Sequence, residues 1–155
     1  MKIYLDVCCF NRPYDDQRQD RIHLESEAVL RILDYCQMGK WHLIGSEVID
    51  FEIFKISDGE RKQKVAGLAS MAKVQVIINA KIEKQADILE KAGFKSMDAL
   101  HLACAEYAKA DILLTTDDKF YQNILKNSKL VKIRVNNPLN WLMEVMRNEY
   151  TNFKS

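Results

Sequence analysis

Short apolar runs alternate with longer amphipathic stretches along the whole of this chain, and that alternation leaves few folds open. Residues 2–5, 41–44, 74–78, 111–115 and 130–135 read as strands. Between them the apolar residues recur every three or four positions, the period of a helix with one buried face. Leu24, Ala28, Ile32 and Tyr35 mark one such helix, starting near Arg21 and stopping near Gly39. Ser46 is placed to cap a second, which carries Val48, Ile49, Glu52 and Ile53. Further helices are expected from Gly59 to about Ala72, over 81–92 with Gly93 closing it, after a Ser96 cap, over 117–126, and from Pro138 onward. The polar stretch 11–20 contains Pro13 and reads as a loop or a lead-in to the first long helix. Strands separated by helices pair in parallel, because each helix carries the chain back to the start of the next strand. The expected fold is α/β, a three-layer α/β/α sandwich around a central, mainly parallel sheet.

With 155 residues, 48% of them apolar, and no repeat, linker or low-complexity tract, one domain spanning 1–150 is expected. The net charge of +1 argues against a strongly cationic coat protein, while leaving room for a local basic patch. The opening MKIYLD holds no apolar run of signal-peptide length, and no later run approaches the ~20 apolar residues that span a bilayer. A cytoplasmic location is therefore expected, with no membrane partner. Cys8, Cys9, Cys36 and Cys104 form no CxxC pair and have no histidine at zinc spacing, so they read as reduced, mostly buried thiols.

Four acids stand out against this background. Asp6 ends the first strand, Glu52 lies about two turns into the helix after the second, Asp98 falls in the first turn of a small, apolar helix, and Asp117 follows LLTT. All sit in apolar or small surroundings, where an unpaired carboxylate is costly. In open parallel sheets ligands bind beyond the C-terminal strand ends, so a shared site is geometrically reasonable. Two carboxylates about 4 Å apart repel by roughly 4 kcal/mol at an effective dielectric near 20. Convergence of four calls for protonation or a cation, and hard oxygen donors suit Mg²⁺ or Mn²⁺. Taken singly, each acid has a plain structural reading, as a turn or helix cap or as part of a solvated face, and Asp50 competes with Glu52.

Together the four resemble the PIN-domain family of metal-dependent nucleases. The resemblance rests on Ile-Tyr-Leu-Asp6, on Ser46-Glu-Val-Ile-Asp-Phe-Glu52, on Met97-Asp98-Ala-Leu-His-Leu-Ala103 and on Leu113-Leu-Thr-Thr-Asp117-Asp-Lys-Phe120, and it runs from Ile3 to about Val135. It implies catalytic, metal-holding roles for Asp6, Glu52, Asp98 and Asp117, with Asp118 as a weaker fifth metal candidate and Thr115 as support for the last acid. It further implies Mg²⁺ or Mn²⁺ as cofactor and hydrolysis of RNA phosphodiester bonds as the activity. Many small bacterial members are the toxin halves of toxin–antitoxin pairs, so an antitoxin partner is expected, and a homodimer is compatible with it. The chain departs from the family where Cys8 stands two residues after the first acid and Lys119 stands before the Phe.

Asn11 and Arg12 lie near Asp6 in sequence and are candidates to reach a substrate phosphate. Other phosphate candidates are Arg18, Arg21, Lys55, Arg61, Lys62, Lys64 and Lys119, while Tyr14, Phe10 and Tyr121 are candidates to stack an unpaired base. His101, one turn after Asp98, reads as a structural histidine more readily than as a general base. A haloacid-dehalogenase-like phosphatase needs a second Asp two residues after the nucleophile, and Asp6-Val7-Cys8 lacks it. A phosphoacceptor receiver domain needs paired acids at the first strand end, which are also missing. The alternatives retained are a non-catalytic interaction module on the same fold and a nuclease acting on DNA.

Overall fold

The structure is a computed structural model that describes residues 1–154. Strands β1 (Lys2–Leu5), β2 (His42–Ser46), β3 (Val74–Val76), β4 (Ile112–Leu114) and β5 (Val135–Asn136) form one sheet in the order β3-β2-β1-β4-β5. Every neighbouring pair runs parallel, with Tyr4 opposite Ile44 on one side and Leu113 on the other. The expected three-layer α/β/α architecture is what the chain adopts. The helices among the described residues are α1 (Val7–Asn11), α2 (Asp20–Gln37), α3 (Glu47–Phe54), α4 (Gly59–Ala69), α5 (Ala80–Lys91), α6 (Ser96–Tyr107), α7 (Asp118–Lys126) and α8 (Pro138–Lys154), with a 3-10 turn at Arg12–Tyr14.

The path explains where a site can form. The chain runs outward from β1 to β2 to β3, then returns to place β4 against the far side of β1. Strand order therefore reverses between β1 and β4. Right-handed crossovers put the helices before and after the reversal on opposite faces. The loops leaving β1 and β4 consequently diverge and leave a crevice at the C-terminal edge of the sheet. Ile3, Tyr4, Leu5 and all of β4 are buried, as befits the two central strands. Helix α6 buries Ala99, His101, Leu102, Ala103, Cys104 and Ala105, so its small side chains let it lie close against its neighbours. Helix α8 packs on α2, and Trp141 meets Trp41 edge-to-face with ring centroids 4.9 Å apart.

Several local expectations need correction. Helix α1 begins directly after Asp6, ahead of the 11–20 stretch and where no helix is expected, because its five residues are too few for a helical period to register. Ser96 is the first helical residue of α6 and not its cap; Lys95 occupies that position with no side-chain bond. Residues 130–134 do not form the fifth strand. The amides of Leu130 and Val131 both bond to the carbonyl of Asn127, closing α7, and the ladder to β4 covers only Val135 and Asn136. The Ser46 and Gly93 readings agree with the coordinates. Ser46 Oγ accepts from the Ile49 amide at 3.1 Å, and Gly93 takes the left-handed φ of +108° just past α5.

Candidate metal centre

Asp6 is fixed by the reversal point of the sheet. Its amide donates to the Leu114 carbonyl at 3.0 Å, tying the end of β1 to the end of β4, and its extended backbone leaves the side chain free of capping duty for α1. The carboxylate is 7% exposed. Its Oδ2 accepts from Thr115 Oγ1 at 3.0 Å, and that same Oγ1 accepts the Asp117 amide at 3.1 Å. Since the one Thr115 hydroxyl proton goes to Asp6, Cys8 donates its S–H to Thr115 Oγ1 across 3.3 Å. Cys8 Sγ in turn accepts from the Thr116 amide at 3.4 Å. Thr115 thus supports two acids, and the thiol at position 8 buttresses the threonine without bonding to the carboxylate.

Glu52 is held from the other side. The Tyr4 hydroxyl lies 2.8 Å from Ser46 Oγ and 2.7 Å from His101 Nδ1, and His101 Nε2 bonds to Glu52 Oε1. Nε2 donates, because a carboxylate only accepts. Burial alone draws the His101 pKa down. The bond to Glu52, with the charges of Asp6, Glu52 and Asp98, outweighs this and leaves the imidazole above its ordinary value. His101 Nε2 is also 3.7 Å from Asp6 Oδ1. One donor atom each from Asp6, Glu52 and His101 lies within 4.8 Å of the others. His101 is thus fully buried, bonded to one acid and close to another. Its i, i+3 placement after Asp98 was the signal in the sequence.

Asp98 and Asp117 complete the surroundings without joining that tightest group. Burial first, and then the charges of Asp6 and Asp117, raise the Asp98 pKa to about 6, with His101 and Lys95 only partly opposing them. Asp117 is exposed, and its Oδ1 caps α7 by accepting the amides of Lys119 and Phe120 at 3.0 and 3.2 Å. The second oxygen, Oδ2, takes no part in this cap. Asp118 faces elsewhere: Arg21 holds both of its oxygens at 2.6 and 2.7 Å and lowers its pKa. Mutual repulsion felt at Asp98 is the signature of carboxylates gathered beyond the local supply of positive charge. The carboxylate oxygens are hard donors that fit a divalent cation such as Mg²⁺ or Mn²⁺, while the His101 Nε2–H is committed to Glu52.

The basic residues near Asp6 are largely engaged within the fold. Arg12 donates to Glu25 at 2.8 Å and to Asp15 at 3.2 Å, and Asn11 donates to the Val7 carbonyl at 3.2 Å. Arg61 binds Asn11, Asp15 and the Tyr14 carbonyl, clamping the segment between α1 and α2. Glu25, 1% exposed, receives Arg12 and Arg21 together.

Residues 3–123 match the family model described as PIN domain. Comparison with curated proteins finds no match. Among solved structures, a chain of VapBC2 from Rickettsia felis, bound to a DNA fragment from their promoter, is 15% identical at a TM-score of 0.56, over 88% of this chain and 98% of that one. A chain of VapBC-1 from nontypeable Haemophilus influenzae is 18% identical at a TM-score of 0.55, over 89% and 98% respectively. At these identities the likeness is one of fold.

Proposed function

The chain belongs to the PIN domain family, and on that footing we propose that it is a metal-dependent endoribonuclease, the toxin of a toxin–antitoxin pair. The observation that supports the reading is the approach of Asp6 and Glu52 within 4.8 Å at the strand-order reversal, together with an Asp98 whose pKa is raised by burial and then by the charges of Asp6 and Asp117. These four acids would hold Mg²⁺ or Mn²⁺, with the His101 Nε2–H directed at Glu52 and Asp118 reaching the site only on release from Arg21. A divalent ion there supplies an activated water and neutralises charge on a phosphodiester. The protein's own part is positional. Thr115 fixes Asp6 and the start of α7, His101 fixes Glu52, and the buried Tyr4–Ser46 pair fixes His101. Asn11 and Arg12 would contribute by holding the segment between α1 and α2, through their bonds to Val7, Arg61, Asp15 and Glu25.

The wider reading includes single-stranded RNA as substrate, an antitoxin as partner, a homodimer and a cytoplasmic setting. The fold shared with chains of VapBC2 and VapBC-1 favours the toxin assignment. Phe51 and Phe54 on α3, 48% and 73% exposed, suit a protein partner. No helix among the described residues is long and apolar enough to cross a membrane. The test is cleavage of labelled single-stranded RNA and matched DNA with Mg²⁺, Mn²⁺ or EDTA, beside the Asp98→Asn variant. Cutting of RNA that needs the metal and is lost in the variant is the expected result. Cutting of DNA in preference, or cutting that survives EDTA, overturns the assignment.

A further inference from the structure

Resting on the nuclease reading, we propose that the cavity between α7 and the start of α8 is a pocket for one unpaired nucleobase of the substrate strand. The cavity measures about 360 Å³ and adjoins the acidic site through Thr115, which is part of its wall and bonds Asp6. That volume falls at the lower end of the 300–1,000 Å³ typical of small-molecule sites. It suits a single nucleotide better than a base pair.

The position follows from the sheet. Thr115 leaves β4 and Asn137 leaves β5, so the cavity lies one strand further along the C-terminal edge that carries Asp6 and Glu52. A strand whose phosphate sits at the acids can lay its next base there. The charges in the cavity are already matched, with Arg21 held by Glu25 and Asp118, so it offers little to a phosphate. Asn137 is also committed: it donates to Glu25 at 2.5 Å and accepts the amides of Leu139 and Asn140.

What remains free is neutral. Tyr121, Gln122 and Asn140 line this space, and their side-chain polar groups have no partner among the described residues. An aromatic ring beside amides that both donate and accept is the equipment of base recognition: the ring stacks and the amides read the base edge. A phosphate at the metal and a base between Tyr121, Gln122 and Asn140 would confine the nuclease to unpaired strands and give it a base preference at one position.

The experiment titrates ¹⁵N-labelled protein in Mg²⁺ buffer with AMP, GMP, CMP and UMP, and with ribose 5-phosphate as the baseless control. Trace Mn²⁺, added separately, reads the acidic site through line broadening. The expected result is movement of the Gln122 and Asn140 side-chain amides by nucleotides and not by ribose 5-phosphate, with one base preferred. Tyr121→Ala should weaken binding by about tenfold or more. Asn140→Ala, at an exposed position where folding is not at stake, should change the order of base preference. Equal shifts with ribose 5-phosphate, no shifts at these amides, or unaltered binding by both variants overturns the proposal. Mn²⁺ broadening around Asp6 without base-dependent shifts removes the pocket alone. Base-dependent shifts without that broadening support the pocket and remove the metal-dependent reading.

Discussion

Replacing Asp98 by Asn should stabilise the metal-free protein while abolishing its response to metal. The Asp98 carboxyl titrates near 6 because burial and then the charges of Asp6 and Asp117 disfavour its ionised form. Against an unfolded value of about 3.9, the displacement is about two units, and at about 1.4 kcal/mol per unit the ceiling is about 3 kcal/mol. Solvent screening at this half-buried side chain lowers the expectation to about 1–2 kcal/mol. Asn keeps the shape and removes the charge, so at pH 7 in EDTA the variant should melt a few degrees higher, at about 2–4 °C per kcal/mol for a chain of this size. A raised folded pKa means that protonation favours the folded state. The wild type therefore loses stability as pH climbs from about 4 through 6. The gap between variant and wild type should open over that range and vanish below it. Adding Mg²⁺ or Mn²⁺ should raise the wild-type melting temperature by mass action and leave the variant almost unmoved. Scanning calorimetry from pH 4 to 8, with EDTA or metal, reads all of this. A variant less stable than wild type in EDTA at pH 7, or one that keeps the full metal-induced shift, would refute the crowded-carboxylate argument.

Other outcomes can be checked alongside. His101→Gln should weaken Mn²⁺ affinity and cost about 1–3 kcal/mol, because the Tyr4 hydroxyl and Glu52 lose a buried partner; urea unfolding and electron paramagnetic resonance titration measure the two effects. Thr115→Val keeps the volume and removes the bonds to Asp6 and the Asp117 amide, so a loss of about 1 kcal/mol and a slower cleavage rate are expected. Glu25→Gln removes the buried charge shared by Arg12 and Arg21; since each arginine keeps a second carboxylate, the loss should fall near the low end for a broken buried pair, about 3 kcal/mol. Burial pushes the thiols of Cys36 and Cys104 up to about 11 and about 12, and Cys9 is fully buried, so native alkylation read by mass spectrometry should modify Cys8 at most and all four only after unfolding.

Much of this molecule is written in its local sequence. The alternation of apolar runs and amphipathic stretches is enough for a parallel α/β sandwich, because period and length are properties of neighbouring residues. The Ser46 cap, the Gly93 stop and the placing of Asp6 at a strand end, of Asp117 just past one and of Asp98 in a helix's first turn are legible for the same reason. Two short segments were not: α1 is too short to show a period, and the 130–134 run starts with Leu130 and Val131 bonded back to Asn127 and not to β4. The relations that make a site were beyond any local reading. That His101 bridges to Glu52 across 49 positions, that Thr115 reaches Asp6 across 109, and that Arg21 takes Asp118 across 97 depend on which strands become neighbours. Only the return of the chain to set β4 beside β1 decides that. Sequence determined the donors; the strand order decided which of them meet and how strongly they repel, because electrostatic coupling follows distance in space and not separation along the chain.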